Sequence, residues 1–493
     1  MDGINHIFDF LLQVNFSKVL LAIYMITILA TAAIVVHEKR DPVRTASWVL
    51  VLFLLPIAGI VLYIYFGQNF RKEKIFSRKG MHDIEQIGLI SDAQLIRLNR
   101  NDFPDNPNIT RYIKIIKLLL NNSKALLSER NSVLVMNSGK ETFSNLLHDL
   151  AIATSSIHLE YYILSDDVIG NQIKDILVEK ARSGVEVRVI FDDVGSWSLP
   201  KTYIRYLHDN MVEAFPFMEV KFPWFTSKVN YRNHRKIVVI DGKVGYVGGI
   251  NVADRYIHGD PKLGFWRDTH LKVEGDAVRS LQAIFLIDWY FVSKQQFTDR
   301  QKYFPATTTL DKHLVQITAC GPDSDWASIM QAYFLAIATA KEHIYISTPY
   351  FMPNESILTA LKTASLSGVD IKILLPGKSD SKMVYWGTLS YLSELLEAGI
   401  KVYLFEAGFN HSKIIMIDGC FSSVGTANMD MRSFEDNFEV NAIIYDPDVT
   451  SELEDRFLLD IKLSKNILLE EWEDRPLRKS FLESFARLFT PLL

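Results

Sequence analysis

The chain has 493 residues, 48% of them hydrophobic, and a formal net charge of −5. That length supports two large cores rather than one. The acidic balance argues against a general nucleic-acid binder, which needs a broadly basic surface. Two cysteines, Cys320 and Cys420, can build neither a disulfide framework nor a thiolate zinc site.

The apolar excess is local. Residues 19–36, VLLAIYMITILATAAIVV, and 48–66, WVLVLFLLPIAGIVLYIYF, are free of charge. Each is long enough to cross a hydrocarbon core of about 30 Å. A cleaved signal peptide fits poorly, because no basic n-region precedes the first run and a second run follows at once. The expectation is a two-helix transmembrane hairpin within residues 1–70, with spans at about 19–36 and 47–66, then a juxtamembrane connector over 71–130. The short connector between the spans carries Lys39, Arg40 and Arg44. The outer flanks carry Lys18, Arg71, Lys72, Lys74, Arg78 and Lys79. The basic excess on the flanks puts them, and the large C-terminal part, on the cytoplasmic face of a cell membrane.

From residue 131 the chain reads as one unit written twice. LAIAT occurs at 150–154 and again at 335–339, each time before an apolar strand pattern, IHLEYYI or IYISTPYF. A helical stretch follows and closes with SGVEVRVI (183–190) or SGVDIKIL (367–374). There Gly suits a helix end and the β-branched run a buried strand. Strands alternating with helices predict an α/β fold. The halves are expected at 131–296 and 316–474, joined by a linker at 297–315 and packed around a pseudo-two-fold axis.

Each half then carries the same motif, His-x-Lys-x4-Asp-x6-Gly-x2-Asn. It reads NHRKIVVIDGKVGYVGGIN at 233–251 and NHSKIIMIDGCFSSVGTAN at 410–428. Side chains two apart on a strand share a face, so His234 pairs with Lys236 and His411 with Lys413. Asp241-Gly242 and Asp418-Gly419 are turn dipeptides that fold each strand back. The return strand is expected to bring Asn251 or Asn428 near its own His and Lys. One His beside one Lys would read as a solvated edge; the same spacing twice does not.

A cluster of imidazole, ammonium and amide suits a phosphodiester. The cations and amides hold charge on the non-bridging oxygens as it grows. One imidazole can attack phosphorus and the other can protonate the leaving alkoxide. The twelve His contain no HExxH and no His-x3-His pair. No metal site and no cofactor is therefore expected.

The paired motifs resemble the HKD motifs of the phospholipase D superfamily. With the N-terminal apolar pair and the ending RLFTPLL, the whole chain resembles the bacterial cardiolipin synthases. The resemblance implies two tandem phospholipase D-like α/β/α sandwich halves. It implies that His234, Lys236, Asp241, His411, Lys413 and Asp418 form the catalytic set, with His234 the nucleophile and His411 the acid and then base. The two Asp, at the turns, are expected to set hairpin geometry rather than touch substrate. A carboxylate behind each His is also implied, and Glu439 and Asp268 are the candidates. Asn251, Asn428 and Thr426 are expected to contact substrate. Gly249 stands where the second copy has Thr426, so the two half-sites need not be equivalent.

The implied reaction transfers a phosphatidyl group from one phosphatidylglycerol to another through a phosphohistidine, giving cardiolipin and glycerol. The implied partners are these two membrane lipids, with no nucleic acid; self-association is left open. A membrane-bound phospholipase D hydrolase would use the same intermediate with water as acceptor. A tethered nuclease is disfavoured by the acidic balance, and an inactive scaffold by two intact motifs. Two flanking pieces complete the reading. KFPWFTSKVNYRNHRK (221–236) mixes aromatic and basic residues and could meet headgroups or pack as an arm. Residues 475–493 read as an amphipathic helix, with Phe481, Leu482, Phe485, Leu488 and Phe489 at helical spacing. Interfacial binding and docking on the catalytic part fit that helix equally.

Overall fold

A computed structural model describes residues 42–55, 81–100, 106–220, 231–295, 300–306, 309 and 311–490, with a few isolated positions before residue 64. Most of the expected span at 19–36, residues 221–230 of the aromatic-basic stretch and most of 56–66 lie outside the described residues. A helix runs over Pro42–Leu54. It begins inside the basic connector, where a Pro suits the first helical turn, and stops just before Pro56. Among the described residues no helix is long and apolar enough to cross a membrane.

The duplication in the sequence becomes two sheets of matching order. The first half contributes β1 (Asn131–Met136), β2 (Ser156–Tyr161), β3 (Glu186–Asp192), β4 (Glu213–Phe217), β5 (Ile237–Ile240), β6 (Val244–Gly248) and β7 (His270–Gly275). Their order across the sheet is β1-β7-β6-β5-β2-β3-β4. The second half contributes β8 (Val315–Cys320), β9 (His343–Ser347), β10 (Asp370–Pro376), β11 (Lys401–Phe405), β12 (Ile414–Ile417), β13 (Phe421–Gly425), β14 (Glu439–Tyr445) and β15 (Ser464–Ile467). Here the order is β8-β14-β13-β12-β9-β10-β11, extended at one edge by Leu127–Ser128 and at the other by β15. In each half two neighbouring pairs are parallel, β2–β3–β4 and β9–β10–β11, and the motif hairpin joins antiparallel. Both sheets are therefore mixed.

The motif strands are apolar throughout because both their faces are buried. Val238 and Ile240 of β5 face the core made with the helices of the first half, whereas Ile237 and Val239 face a core shared with the second half. In β12, Ile415 and Ile417 face the second half's own core, and Ile414 and Met416 the shared one. The helices Val278–Ser293 and Pro447–Lys462 also contribute to the shared core, through Val278 and Leu281 and through Val449, Leu453 and Phe457. Two sheets that share one core hold their corresponding strand ends in fixed relation.

Each motif turn is a tight reversal with left-handed backbone. Asp241 and Gly242 have φ of +54° and +64°, and Asp418 and Gly419 of +51° and +64°. Gly supplies the second of these positions at no steric cost. Of the expected linker, Arg300–Tyr303 forms a short helix. It is docked rather than loose: the Tyr303 hydroxyl donates to Glu186 at 2.9 Å, and Lys302 pairs with the same carboxylate at 3.0 Å.

Candidate active site

The two halves meet through short backbone pairings, and these build the site. Phe265–Arg267 pairs in parallel with Gly408–Asn410. The next amide, that of His411, donates to the Arg267 carbonyl at 2.7 Å. Reciprocally, the His234 amide donates to the Phe438 carbonyl at 2.9 Å, and the Phe438 amide to the Arg232 carbonyl at 2.9 Å. Each pairing lays the residue before one half's carboxylate beside the His of the other half. The side chains follow. His234 Nδ1 lies 2.9 Å and 3.0 Å from the two oxygens of Glu439. His411 Nδ1 lies 2.7 Å from Asp268 Oδ2. Every imidazole is thus held by a carboxylate from the opposite half. With Nδ1–H donated to a carboxylate, Nε2 carries the lone pair.

An asparagine before each His shapes the approach. Asn233 Oδ1 accepts the Arg235 amide at 3.2 Å, and Asn410 Oδ1 accepts the Ser412 amide at 3.2 Å. These are Asx turns, in which a side chain imitates a backbone turn. The motif strands begin only after them, so His and Lys sit in the entry to the strand. Lys236 Nζ turns back onto the His234 carbonyl, and Lys413 Nζ onto the His411 carbonyl, at 2.6 Å in both cases. The repeated Asn was visible in NHRK and NHSK, but a motif counted from His passes over it.

The cluster is buried and its charges act on one another. The side chains of His234 and His411 are 12% and 9% exposed, and Lys236 and Lys413 are buried. Burial pushes the His234 imidazole down to about 4; Glu439 opposes this, while Lys236 and Lys413 add to it. His411 is held well below its ordinary value by burial and by Lys413, with smaller depressions from Lys236 and His234. Lys413 Nζ lies 3.1 Å from each ring nitrogen of His411, close enough to oppose a proton there. Burial brings the Lys236 ammonium down to about 7 and that of Lys413 to about 8. The carboxylates differ. Glu439 stays below its ordinary value because His234 and Lys236 outweigh its burial, while burial lifts Asp268 to about 6.

The glycine-for-threonine difference has a steric cause. A Cβ at Gly249 would lie 2.1 Å from Asp268 Oδ1, so only Gly fits beside this carboxylate. In the second half Thr426 stands beside the longer Glu439 and helps keep it ionised. Its hydroxyl also donates to the Val440 carbonyl at 3.2 Å and accepts the Val440 amide at 2.9 Å. Thr426 is committed to protein groups, not to the substrate contact the sequence suggested.

The remaining expected residues divide. Asn251 is occupied at both ends of its amide, accepting from the Ile163 amide at 3.1 Å and donating to the Tyr256 hydroxyl at 2.6 Å. Asn428 Oδ1 is buried and has no partner among the described residues. Asp241 and Asp418 do not join the cluster. Asp241 accepts the amides of Thr154, Ser155 and Ser156, anchoring the entry to β2. Asp418 accepts those of Lys341, Glu342 and His343 before β9, and pairs with Arg111 at 3.0 Å. A residue at the hairpin turn is at the far end of the strand from the His, and there it ties the hairpin to the neighbouring strand.

Several groups around the cluster carry no repeat signal. Tyr162 sets its ring edge-on to His234, with centroids 5.0 Å apart, and Lys236 Nζ lies 5.5 Å from the same ring. Asp380 acts on both His411 and Lys413 and accepts the Tyr350 hydroxyl at 2.7 Å. Glu160, deeply buried, accepts from Asn233.

The depressed lysines set an expected pH response. An ammonium with a lowered pKa is charged below that value and loses its charge as pH rises through it. Phosphate capture by the free enzyme should therefore weaken above about pH 7 to 8, where Lys236 and Lys413 titrate. His234 is neutral above about 4, so it imposes no loss until strongly acid pH. A kcat/KM profile should fall on its alkaline side well before ordinary lysines titrate. A plateau extending to pH 10 would contradict this.

Two repeated sheets, with a His-Lys pair from each meeting between the halves, define the class: a phospholipase D-like phosphatidyltransferase. Residues 146–289 and 333–461 match the family model described as cardiolipin synthase, PLD-like domain. Residues 20–68 match a model described as phospholipase D-nuclease N-terminal. The chain is 44% identical to a cardiolipin synthase of Geobacillus sp. (strain WCH70), across 94% of this chain and 91% of that protein. It is 43% identical to cardiolipin synthase 2 of Bacillus anthracis, across 92% and 88%. The phosphatidylserine synthase of Haemophilus influenzae Rd KW20 shares the fold, with a TM-score of 0.57 at 15% identity over 78% of this chain and 98% of that one. The chain belongs to the cardiolipin synthase family.

Proposed function

We propose that this chain joins two phosphatidylglycerol molecules into cardiolipin and free glycerol, through a phosphatidyl group carried on His234. The observation that carries the reading is the crossed pairing of His234 with Glu439 and His411 with Asp268 around two buried lysines.

The first phosphatidylglycerol places its phosphodiester between the imidazoles, with Lys236 and Lys413 on the non-bridging oxygens. Its negative charge favours a proton on His411, which the free site disfavours. His234 Nε2 attacks phosphorus. The bond from phosphorus to the glycerol headgroup oxygen breaks, and His411 gives that oxygen its proton. Glu439 takes part without chemistry of its own, balancing the positive charge that develops on His234. Glycerol leaves. A hydroxyl of the second phosphatidylglycerol then gives its proton to His411 and attacks phosphorus, and the phosphorus–nitrogen bond breaks. The Asn428 oxygen, an acceptor, suits a glycerol hydroxyl. The apolar stretches at 19–36 and 47–66 would form a hairpin that keeps the enzyme in the membrane with this site on the cytoplasmic face. The charge-free runs and the match over residues 20–68 support the hairpin, and the basic excess on its outer flanks supports the cytoplasmic side.

The test uses purified enzyme with phosphatidylglycerol as the lipid and labelled glycerol in the buffer. Cardiolipin should form, and label should enter phosphatidylglycerol, because the first half-reaction runs backward from the covalent intermediate. Excess glycerol should slow net cardiolipin formation. Phosphatidate as the main product would make the chain a hydrolase. Absence of exchange in active enzyme would remove the covalent step.

A further inference from the structure

The C-terminal helix Leu477–Arg487 is turned the opposite way from an ordinary docked amphipathic helix. It packs on the helix Lys382–Leu389. The buried residues of this segment are Glu483, Ala486 and Thr490. At 3.6 residues per turn these fall on one face. Leu477, Phe481, Phe485 and Leu488 fall on the other, spaced four, four and three apart. They are 87%, 69%, 46% and 57% exposed. The helix is held by polar and small contacts, with Leu482 and Phe489 half-buried at their edge. Arg487 bonds to Glu394 and lies 4.4 Å from the centre of the Tyr391 ring, and Thr490 meets the Tyr391 hydroxyl at 3.3 Å. A helix docked to bury its apolar side would show the reverse pattern. A contiguous stripe of exposed Leu and Phe marks a contact surface.

We propose that this stripe rests in the headgroup layer of an anionic phospholipid bilayer and holds the active-site mouth against it. Three observations select that occupant. First, exposed cations lie near the stripe. Arg478 is exposed beside it on the helix, and Lys378 and Lys382 are exposed on the neighbouring segment, while Lys479, four residues before Glu483, falls on the docked side. The chain as a whole is acidic, at −5, so these cations are not its average composition. Large apolar side chains flanked by basic ones are the pattern of a helix lying in a membrane interface. Second, the stripe is close to the chemistry. The helix Lys382–Leu389 follows the segment that carries Asp380, whose charge acts on His411 and Lys413. A Cβ at Gly387 of that helix would lie 3.0 Å from Met352 Sδ and 3.1 Å from Thr490 Cγ2. The tail and the strand Phe351–Met352 beside the site therefore come together over this glycine. Third, a second copy fits poorly. A two-fold contact through the stripe would bring Arg478, Lys378 and Lys382 of both copies to one interface. The choice of lipid rests on the phosphatidylglycerol reading above; the surface itself does not.

The experiment uses the full chain in vesicles of mixed phosphatidylglycerol and phosphatidylcholine. A nitroxide is attached at Phe481→Cys in one sample and at Lys479→Cys in another. The native Cys320 and Cys420 are buried and should not take the label. At 481 the label should collide readily with oxygen and poorly with a water-soluble nickel chelate; at 479 the preference should reverse. Equal chelate access at both positions would overturn the proposal. So would spin–spin broadening at 481 that persists at low protein density, which would mean a second copy occupies the stripe. A functional arm uses the double variant Phe481→Glu/Phe485→Glu. Its turnover of bilayer phosphatidylglycerol should fall about tenfold, while turnover of monomeric short-chain phosphatidylglycerol should stay within about twofold. Equal loss on both substrates would overturn the docking role. If the unaltered chain turns over neither substrate, the phosphatidylglycerol reading fails, and the label profile still decides the surface.

Discussion

Replacing either His234 or His411 with Ala should leave less than about a hundredth of wild-type turnover, since general acid–base assistance alone is worth about 10²–10⁴-fold. Two independent half-sites would instead keep roughly half the activity in each single variant. The geometry argues against independence. Each imidazole takes its carboxylate from the other half, Glu439 for His234 and Asp268 for His411. The lysine of each motif also depresses the His of the other. The two variants should differ in what they accumulate. His411→Ala keeps the nucleophile, so a donor with a good leaving group should still load His234, and the adduct should drain slowly. The P–N bond is labile in acid, so the adduct should be sought by mass spectrometry after an alkaline quench. A phosphatidyl group on the peptide containing His234 is expected. An adduct confined to another residue, or half activity in either variant, would refute the shared site.

Glu439→Gln is expected to cost about 10²–10⁴-fold in kcat, close to the loss of the nucleophile itself. The substitution nearly preserves shape and removes a charge. Both Glu439 oxygens lie within 3.0 Å of His234 Nδ1, and one also accepts from Asn437 at 3.3 Å. A glutamine could turn its NH2 toward Nδ1, which would move the imidazole proton to Nε2 and remove the attacking lone pair. It also withdraws the group that raises the His234 pKa, already near 4. The positive charge that grows on His234 as the P–N bond forms would then have no counter-ion. In a His234→Ala background the same change should add little, because the two residues act as one unit. Additive losses in the double variant, or a kcat within about threefold of wild type for Glu439→Gln, would remove Glu439 from the reaction.

The sequence alone determined the duplication, the α/β character of each half, the hairpin turns and the recurring His-x-Lys spacing at His234, Lys236, His411 and Lys413. These are local features. A buried strand reads as Ile-Val-Val-Ile, Asp-Gly reads as a reversal, and a spacing kept in two copies survives without any knowledge of contacts. What the tertiary structure decided is which groups meet. The family resemblance points to Glu439 and Asp268 as carboxylates behind the imidazoles, but that each serves the opposite half depends on two short parallel pairings between distant segments, Phe265–Arg267 with Gly408–Asn410 and Asn233 with Phe438. No residue pattern encodes such a pairing. Three further placements also rest on tertiary contacts. Asp241 and Asp418 belong to the motif by spacing, yet a seven-residue interval along an extended chain carries them to the far end of the hairpin, where backbone amides claim them. Thr426 has a hydroxyl, and its nearest partners prove to be Val440 and Glu439. Helical spacing marked the apolar stripe of the tail, but spacing cannot say which side of a helix its neighbour takes. Docking through Glu483, Ala486 and Thr490, with Leu482 and Phe489 half-buried, left Leu477, Phe481, Phe485 and Leu488 facing outward.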